Sequence, residues 1–298
     1  MSATPSDEAK SVANDEALAL GENLKGRVVV VAGASKGLGR DFALKAASFG
    51  AILVLGARNI KACEELASQI TQDGGKALAI QLDVTNWDSQ KKAVGFVGYF
   101  DVVMANAGVI DPPVQLLDHP TGPDGELLPP SLASIETNVI GTVYTTKLAH
   151  YHFRASPSPD AAAPRSLVIC GSMGGFYGPT GMPLYLASKF ALRGLLMALM
   201  EESQEQADAV KGYLPPGKAA NDNIDFSYLA AGPTPETGIF GAASVDQLMQ
   251  FPHCKMVDVV DAMVGAAGTK GRSGTVWAVD DKGTFTIPHM KTLPPFEG

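Results

Sequence analysis

The sequence predicts an α/β protein with one domain, in which helices cover both faces of a doubly wound, mostly parallel sheet of seven strands. Continuous apolar runs such as Val28–Ala32 are typical of strands that are buried on both faces of a parallel sheet. These runs alternate with segments long enough for helices, which predicts repeated strand–helix–strand crossovers of one hand. A glycine-rich turn at residues 33–39 joins the first strand to the first helix.

The predicted elements follow one another along most of the chain. The strands are Val28–Ala32, Ile52–Leu55, Leu78–Leu82, Asp101–Ala105, Ser166–Cys170, Ile224–Ala230 and Thr275–Val279. The helices between them are predicted over Gly39–Phe49, Ile60–Gln72, Ser89–Val97, Leu132–Phe153 and Tyr185–Gln204.

Three segments interrupt this alternation. Asp111–Pro130 and Ala207–Asn223 are predicted as surface loops, and Thr284–Gly298 as a Pro-rich tail. None of them resembles a linker between domains. We therefore expect a single domain over residues 25–283, a flexible N-terminal tail over residues 1–24 with a short helix around Asp15 to Leu20, and a C-terminal tail over residues 284–298.

Charge and composition exclude several classes of function. The formal net charge is −8 and the pI is about 5.1, which argues against nucleic acid and anionic membranes as partners, since both favour clustered Lys and Arg. No apolar stretch of membrane-spanning length and no signal-peptide pattern is present, so we expect a cytoplasmic protein. Cys63, Cys170 and Cys254 lack metal-ligand spacing, so we expect buried, reduced thiols and no metal site.

The glycine-rich turn is the first candidate site. Glycine allows the backbone to approach a pyrophosphate closely, and the N-terminus of the following helix offers free N–H groups to an anion. A bland glycine turn is the alternative, but the preceding strand and following helix favour cofactor binding. The candidate contacts are Gly33, Ser35, Lys36, Gly37, Leu38 and Gly39.

The end of the second strand indicates which dinucleotide binds. NAD sites usually place an acidic residue there to hold the ribose hydroxyls. This chain has Gly56-Ala57-Arg58-Asn59 instead. Arg58 and Lys36 are suited to a 2′-phosphate, so the sequence favours NADP(H) over NAD(H), although both cations could also be solvated surface residues.

Two further strand ends are candidate cofactor contacts. Asp83 and Val84 follow the third strand, where Asp83 could accept from an adenine amine or cap the next turn. Asn106, Ala107 and Gly108 follow the fourth strand at the switch point of the sheet, where small residues would let the backbone lie close to a cofactor.

The strongest signal is the pattern Tyr185-Leu-Ala-Ser-Lys189 with Ser172 thirteen residues before Tyr185. A tyrosine and a lysine four residues apart lie on one face of a helix. The ammonium would lower the pKa of the phenol so that it could exchange a proton near neutral pH, and Ser172 could donate to the same substrate oxygen. For an isolated YxxxK pattern, packing and solvation would be the better explanation.

Together these motifs resemble the short-chain dehydrogenase/reductase family over about Lys25 to Lys282, with its Rossmann-type fold. The resemblance implies that Tyr185 is the general acid/base, that Lys189 lowers its pKa and holds the nicotinamide ribose, and that Ser172 polarises the carbonyl. It also implies that Asn138 kinks its helix and positions a water that relays protons to Lys189. The residues alone would not have singled out Asn138.

The chain departs from the family pattern after the sixth strand, where the usual Pro-Gly is Ala231-Gly232. The family's threonine contact to the carboxamide could therefore be made by Thr234 or by Thr237. The loop from about Leu116 to Pro129 and the later segment Thr142–Lys147 resemble those of hydroxyprostaglandin-dehydrogenase-like members of natural-product pathways.

These observations predict an NADP(H)-dependent ketoreductase or alcohol dehydrogenase that acts on a lipophilic carbonyl or alcohol. The alternatives are an NAD-dependent alcohol dehydrogenase, and a non-redox member used for isomerisation, cyclisation or nucleotide sensing. The segment Phe190–Met200 is apolar nearly all round, so we also expect a homodimer or homotetramer. Candidate residues for an apolar cleft are Met173, Phe176, Tyr177, Met182, Phe240, Leu248, Met249 and Phe251.

Overall fold

The computed structural model describes residues 10–110, 116, 118–156, 165–178, 181–199, 224–239, 252–271 and 274–287. The strands are β1 Lys10–Val12, β2 Val28–Ala32, β3 Ile52–Ala57, β4 Lys76–Gln81, β5 Val102–Ala105, β6 Arg165–Cys170, β7 Ile224–Ala231, β8 Thr275–Asp280 and β9 Gly283–Ile287. The helices are α1 Asn14–Ala19, α2 Gly37–Ser48, α3 Ile60–Gln72, α4 Trp87–Val97, α5 Gly141–Ala155, α6 Pro183–Leu199 and α7 Met256–Gly268.

All described strands belong to one sheet, in the order β1-β9-β8-β7-β6-β5-β2-β3-β4. Strands β2 to β8 are parallel to one another. The chain moves from β2 outward to β4, returns to the other side of β2 at β5, and then continues to β8. The doubly wound, mostly parallel sheet predicted from the sequence is therefore confirmed, with its switch point between β2 and β5.

The predicted number of strands was wrong, because the sheet has nine strands rather than seven. The seven predicted strands correspond to β2 to β8. Strand β9 forms an antiparallel hairpin with β8, and β1 pairs with β9. β1 has only three residues and β9 alternates in burial, so neither resembles the continuous apolar runs of the buried strands.

The extra strands lie in segments that we had assigned to tails. Residues 10–24 form β1, α1 and a 3₁₀ turn at Leu20–Leu24, and residues 284–287 belong to β9. The predicted short helix around Asp15 to Leu20 corresponds to α1. Residues 10–24 are therefore part of the fold, because Ala17 and Leu24 are fully buried against its core.

Helices cover both faces of the sheet. One hydrophobic core includes residues of α2, α3 and α7, and the other includes residues of α4, α5 and α6. Helix α7 is not among the helices predicted from the sequence. Every residue from Val259 to Gly268 is buried, so this helix has none of the polar–apolar periodicity that marks a helix at a surface.

The helix predicted over Leu132–Phe153 begins irregularly. Residues Ile135–Ile140 form π-helical turns, and α5 continues from Gly141. Residues 200–223, which include the end of the helix predicted from Tyr185 and the loop Ala207–Asn223, lie outside the described residues. Among the residues that are described, no helix has the length and apolar character needed to cross a membrane, and no group of three or more His, Cys, Asp or Glu residues could hold a metal ion.

Candidate active site

The predicted site residues gather at the carboxyl edge of the sheet. The glycine-rich turn follows β2, Arg58 follows β3, Asn106 follows β5 and Gly232 follows β7. Ser172 follows β6 by two residues. Because all these strands are parallel, their carboxyl ends open onto one crevice, which is where ligands bind in folds of this kind.

The glycine-rich turn lies against the end of β5. Gly33 has φ +92°, and a Cβ there would lie 2.8 Å from Cα of Ala107. The side-chain amide of Asn106 donates to the carbonyl of Gly33 at 2.9 Å. Gly33 is therefore required by the contact between the two strand ends, in addition to the tight turn and the approach of a pyrophosphate that the sequence suggests.

The N-terminus of α2 is suited to an anion. The N-cap residue Lys36 makes no side-chain capping hydrogen bond to this helix, and it is extended and exposed. The first N–H groups of a helix have no partners within the helix and carry its positive dipole end. This end of α2 therefore fits the pyrophosphate of a dinucleotide.

The two predicted cations, Arg58 and Lys36, both lie at the carboxyl edge of the sheet. Arg58 comes directly after β3 and Lys36 directly before α2, and both are exposed. Asn59, the next residue after Arg58, caps α3 by accepting from the N–H of Ala62 at 3.3 Å. The exposed guanidinium and ammonium could meet a 2′-phosphate or water.

Asp83 has a defined structural contact. Its Oδ1 accepts from the N–H of Thr85 at 3.0 Å and from the hydroxyl of Thr85 at 2.8 Å, so it stabilises the turn after β4. Val84 is buried, and a Cβ at Gly141 would lie 2.8 Å from Cγ2 of Val84. The turn after β4 is thus packed against the start of α5.

Tyr185 and Lys189 occupy the buried face of α6. The ammonium of Lys189 lies 5.5 Å from the centroid of the Tyr185 ring and donates to the carbonyl of Cys170 at 3.0 Å. Both residues are less than a tenth exposed. The Lys189 side chain therefore lies beside the Tyr185 ring in a buried environment.

Ser172 is close to the same phenol. A Cβ built at Gly174 would lie 3.3 Å from Oγ of Ser172 and 3.6 Å from Cε1 of Tyr185, so the two side chains flank Gly174. The Ser172 hydroxyl accepts from the N–H of Gly174 at 3.0 Å and donates to the carbonyl of Ala231 at 3.2 Å. The structure therefore brings Ser172, Tyr185 and Lys189 together.

Asn138 lies in the π-helical turns before α5 and is fully buried. Its amide oxygen accepts from the N–H of Val109 at 2.9 Å, and its amide nitrogen donates to the carbonyl of Val109 at 3.0 Å and to the hydroxyl of Ser188 at 2.9 Å. A Cβ at Gly108 would lie 3.3 Å from Oδ1 of Asn138 and 3.8 Å from Nζ of Lys189. Asn138 thus connects the end of β5 to α6.

The segment after β7 returns to the glycine-rich turn. Thr234 is buried, and its hydroxyl donates to the carbonyl of Gly232 at 3.1 Å. Thr237 donates to the carbonyl of Thr234 at 2.8 Å, and its own carbonyl oxygen lies 3.1 Å from where a Cβ of Gly37 would be. Thr237 therefore lies beside the start of α2, whereas Thr234 is directed into the loop.

Two buried polar residues were missed. Gln90 donates to the carbonyls of Val84 at 2.6 Å and Gly141 at 3.0 Å, and so links the turn after β4 to α5. Tyr228 on β7 contacts both the Ser172 loop and α6. For both Gln90 and Tyr228, the sequence shows only a polar residue within an apolar element. This pattern does not indicate which distant group the side chain contacts.

The three cysteines are all buried. Burial raises the pKa of Cys63 to about 11, that of Cys170 to about 12 and that of Cys254 to about 11. These thiols are therefore protonated at neutral pH and poor nucleophiles. Cys170 serves the site through its backbone carbonyl, which binds Lys189. The cleft candidates Phe240, Leu248, Met249 and Phe251 lie outside the described residues.

Comparison with known families decides the class of the protein. The family model for short-chain dehydrogenases matches residues 27–220. The chain belongs to the short-chain dehydrogenase/reductase family. It is therefore an oxidoreductase of CH–OH and C=O groups that uses a nicotinamide cofactor and acts on a small molecule.

Individual relatives agree with this assignment. The chain is 29% identical to a 5'-hydroxyaverantin dehydrogenase of Dothistroma septosporum over 89% of this chain and 87% of that one. It is 34% identical to the short-chain dehydrogenase/reductase prx4 of Penicillium rubens, over 59% of this chain and 50% of that one. A crystal structure of a short-chain dehydrogenase/reductase from Mycobacterium marinum has the same fold, with a TM-score of 0.69 and 22% identity over 89% of this chain and 98% of that one. The first of these relatives is named for its substrate, 5'-hydroxyaverantin.

Proposed function

We propose that this chain is an NADP(H)-dependent ketoreductase of secondary metabolism, which transfers a hydride between nicotinamide and a ketone or secondary alcohol of a lipophilic metabolite. The observation that carries this proposal is the convergence of Ser172, Tyr185 and Lys189 at the carboxyl edge of the sheet, beside the glycine-rich turn.

Tyr185 serves as the general acid in reduction and as the general base in oxidation. When bound, the nicotinamide supplies or accepts the hydride. In reduction, the Tyr185 hydroxyl gives its proton to the substrate oxygen, and in oxidation the phenolate takes that proton back. Lys189, whose ammonium lies 5.5 Å from the centroid of the Tyr185 ring, is the residue proposed to hold the nicotinamide ribose beside the phenol.

Ser172 orients the substrate oxygen. Its hydroxyl and the Tyr185 ring both lie against Gly174, which supports donation by this hydroxyl to the same oxygen that Tyr185 protonates. Asn138 holds the end of β5 next to Lys189, which supports its proposed part in the proton path to the lysine. The residues proposed to hold the cofactor are the glycine-rich turn, Asp83, Val84, Asn106, Ala107, Gly108, Gly232 and Thr234 or Thr237.

A lipophilic substrate is supported by the apolar residues of the segments that carry Ser172 and Tyr185. Met173 and Phe176 follow Ser172 on the loop after β6, and Met182 immediately precedes α6. Tyr177 is exposed on the same loop. The named relative from Dothistroma septosporum is a dehydrogenase of 5'-hydroxyaverantin, which supports a role in secondary metabolism for this chain as well.

The catalytic assignment is tested by substitution of Tyr185. We expect Tyr185→Phe to lower single-turnover hydride transfer by about 10²–10⁴-fold, because it removes the proton donor but keeps the ring. NADPH affinity should stay close to that of the wild type. Lys189→Ala should lower both the rate and NADPH affinity, and Ser172→Ala should give an intermediate rate.

The measurement is nicotinamide absorbance after mixing with a panel of ketones. A Tyr185→Phe enzyme that retains a substantial fraction of the wild-type rate contradicts the mechanism. If the wild type binds NADPH tightly but transfers no hydride to any ketone of the panel, the result favours the non-redox alternative.

The preference for NADP(H) is tested at Arg58. We expect Arg58→Ala to weaken NADPH binding at least about tenfold, because a charge-assisted contact contributes about 1.5–3 kcal/mol. NADH binding should be nearly unchanged. Lys76→Ala is the control, since it removes an exposed positive charge at the opposite, amino-terminal edge of the sheet. Equal losses for NADPH and NADH, or a wild type that prefers NADH, would favour the NAD-dependent alternative.

A further inference from the structure

Tyr228 joins the loop that carries Ser172 to the helix that carries Lys189. It lies on β7 and is fully buried. Its hydroxyl accepts from the backbone N–H of Ser172 at 3.3 Å and donates to the backbone carbonyl of Lys189 at 3.2 Å. One oxygen atom therefore touches the backbone of two of the three proposed catalytic residues.

The Ser172 loop is shaped around this phenol. A Cβ at Gly171 would overlap Cζ of Tyr228, and a Cβ at Gly175 would lie 2.6 Å from the Tyr228 hydroxyl and 2.8 Å from the carbonyl of Lys189. Gly171 and Gly175, which enclose residues 172–174, therefore leave the space that the Tyr228 side chain occupies. Any side chain at either position would force the loop away from β7 or from α6.

Neighbouring side chains hold the ring. Phe176 packs edge-on against Tyr228 with ring centroids 6.1 Å apart, and the guanidinium of Arg193 lies 4.5 Å above the Phe176 ring. Burial raises the pKa of Tyr228 above the usual phenol value, so its hydroxyl remains a hydrogen-bond donor at neutral pH. Removing only the hydroxyl would leave this ring packing in place.

The same loop makes a second contact with Lys189. The carbonyl of Cys170, two residues before Ser172, accepts from the Lys189 ammonium at 3.0 Å. The Ser172 hydroxyl is held by the N–H of Gly174 and the carbonyl of Ala231. Ser172 and Lys189 are thus fixed relative to each other by two contacts. The carbonyl of Cys170 binds the side chain of Lys189, and the hydroxyl of Tyr228 binds the backbone carbonyl of Lys189.

We propose that Tyr228 is a positioning residue, whose hydroxyl sets the separation between Ser172 and the Tyr185–Lys189 face of α6. This inference rests on the proposed function, because it concerns the alignment of the groups that transfer the proton. Alignment has a large effect on rate, since a displacement of about 1 Å can cost about 100-fold in turnover. Tyr228 touches neither substrate nor cofactor in this role.

The test is Tyr228→Phe in the full-length chain, with rates expressed per folded site as counted by NADPH binding. We expect kcat to fall about tenfold or more, whereas NADPH Kd and the substrate KM change less than about twofold. A purely structural role would lower the melting temperature but not the rate per folded site. Tyr99→Phe is the matched control, because it removes a phenol hydroxyl that bonds to Asp101 at 2.5 Å just before β5, away from the carboxyl edge.

A double-mutant cycle separates alignment from general damage. If Tyr228 acts partly by placing the Ser172 hydroxyl, Tyr228→Phe should lower kcat much less in a Ser172→Ala background than in the wild type. A reduction of the same size in both backgrounds overturns the inference, as does a Tyr228→Phe kcat within twofold of the wild type. A wild type without hydride transfer overturns the proposed function itself, and the positioning role with it.

Discussion

Helices α6 and α7 are both apolar on nearly all sides, yet they lie in different surroundings on opposite faces of the sheet. In α7, the sheet covers one side and residues 10–24 cover the other, so that Ala17 is fully buried and the side chain of Asn23 donates to the carbonyl of Gly268 at 2.9 Å. In α6, the side opposite the sheet stays exposed in the part of the chain that the structure describes, and Phe190 is 46% exposed.

The difference shows that a helix without a polar face needs two covers, and that the described residues supply both for α7 but not for α6. The inner face of α6 carries the polar residues Tyr185, Ser188 and Lys189, and its outer face carries Phe190 with small residues around it. On α5, in the same layer, Val143 and Tyr151 are also exposed. We propose that a second copy of the chain covers this surface, in a homodimer or homotetramer.

The largest effect is expected from removing the intramolecular cover of α7. Deletion of residues 1–24 takes away the buried side chains of Val12 and Leu24 and exposes α7. Burial of one such side chain contributes about 1.5–3 kcal/mol to the free energy of unfolding. We therefore expect this free energy to fall by about 3–6 kcal/mol and the melting temperature to fall by about 10 °C or more. Thermal unfolding followed by circular dichroism measures it.

Deletion of residues 1–9 is the control for this experiment. These residues precede β1, so their loss should leave the melting temperature within about 2 °C of the wild type. If the two deletions have equal effects, residues 10–24 are the tail that the sequence suggested and not a cover of α7.

A smaller effect is expected at the exposed face of α6. Phe190→Glu would place a charge in the proposed interface and weaken association by about 2 kcal/mol or more, which is about 30-fold. Val257→Glu, at an exposed position in the first turn of α7, should leave association unchanged. Light scattering at micromolar concentration distinguishes these outcomes, and a monomeric wild type refutes the proposed interface.

The smallest effect is expected from single methyl groups. A Cβ at Gly268 would overlap the carbonyl oxygen of Leu20, so Gly268→Ala should destabilise the fold by about 1–3 kcal/mol. Gly95 on α4 has open space where a Cβ would be, so Gly95→Ala should stabilise the fold by up to about 1 kcal/mol. Chemical denaturation gives both values. A Gly268→Ala variant as stable as the wild type, or more stable, would mean that α7 and residues 10–24 are not in close contact.

The sequence by itself determined the seven parallel strands, most of the helices and the pattern around Tyr185 that we propose to be catalytic. These features are encoded locally: a buried strand is a continuous apolar run, and the Tyr185–Lys189 spacing places both groups on one helix face. The family resemblance added Asn138, which local pattern alone did not single out.

The remaining features depend on contacts between residues that are far apart in the chain. Strand β1 is defined by its pairing with β9, and α7 lacks a polar face because residues 10–24 cover it. Tyr228 lies more than 50 residues from the glycines that accommodate it. Only the tertiary structure decided these features, because burial on both sides removes the polar–apolar alternation from which sequence patterns are recognised, and because a side chain's partner is chosen by the fold and not by its neighbours in sequence.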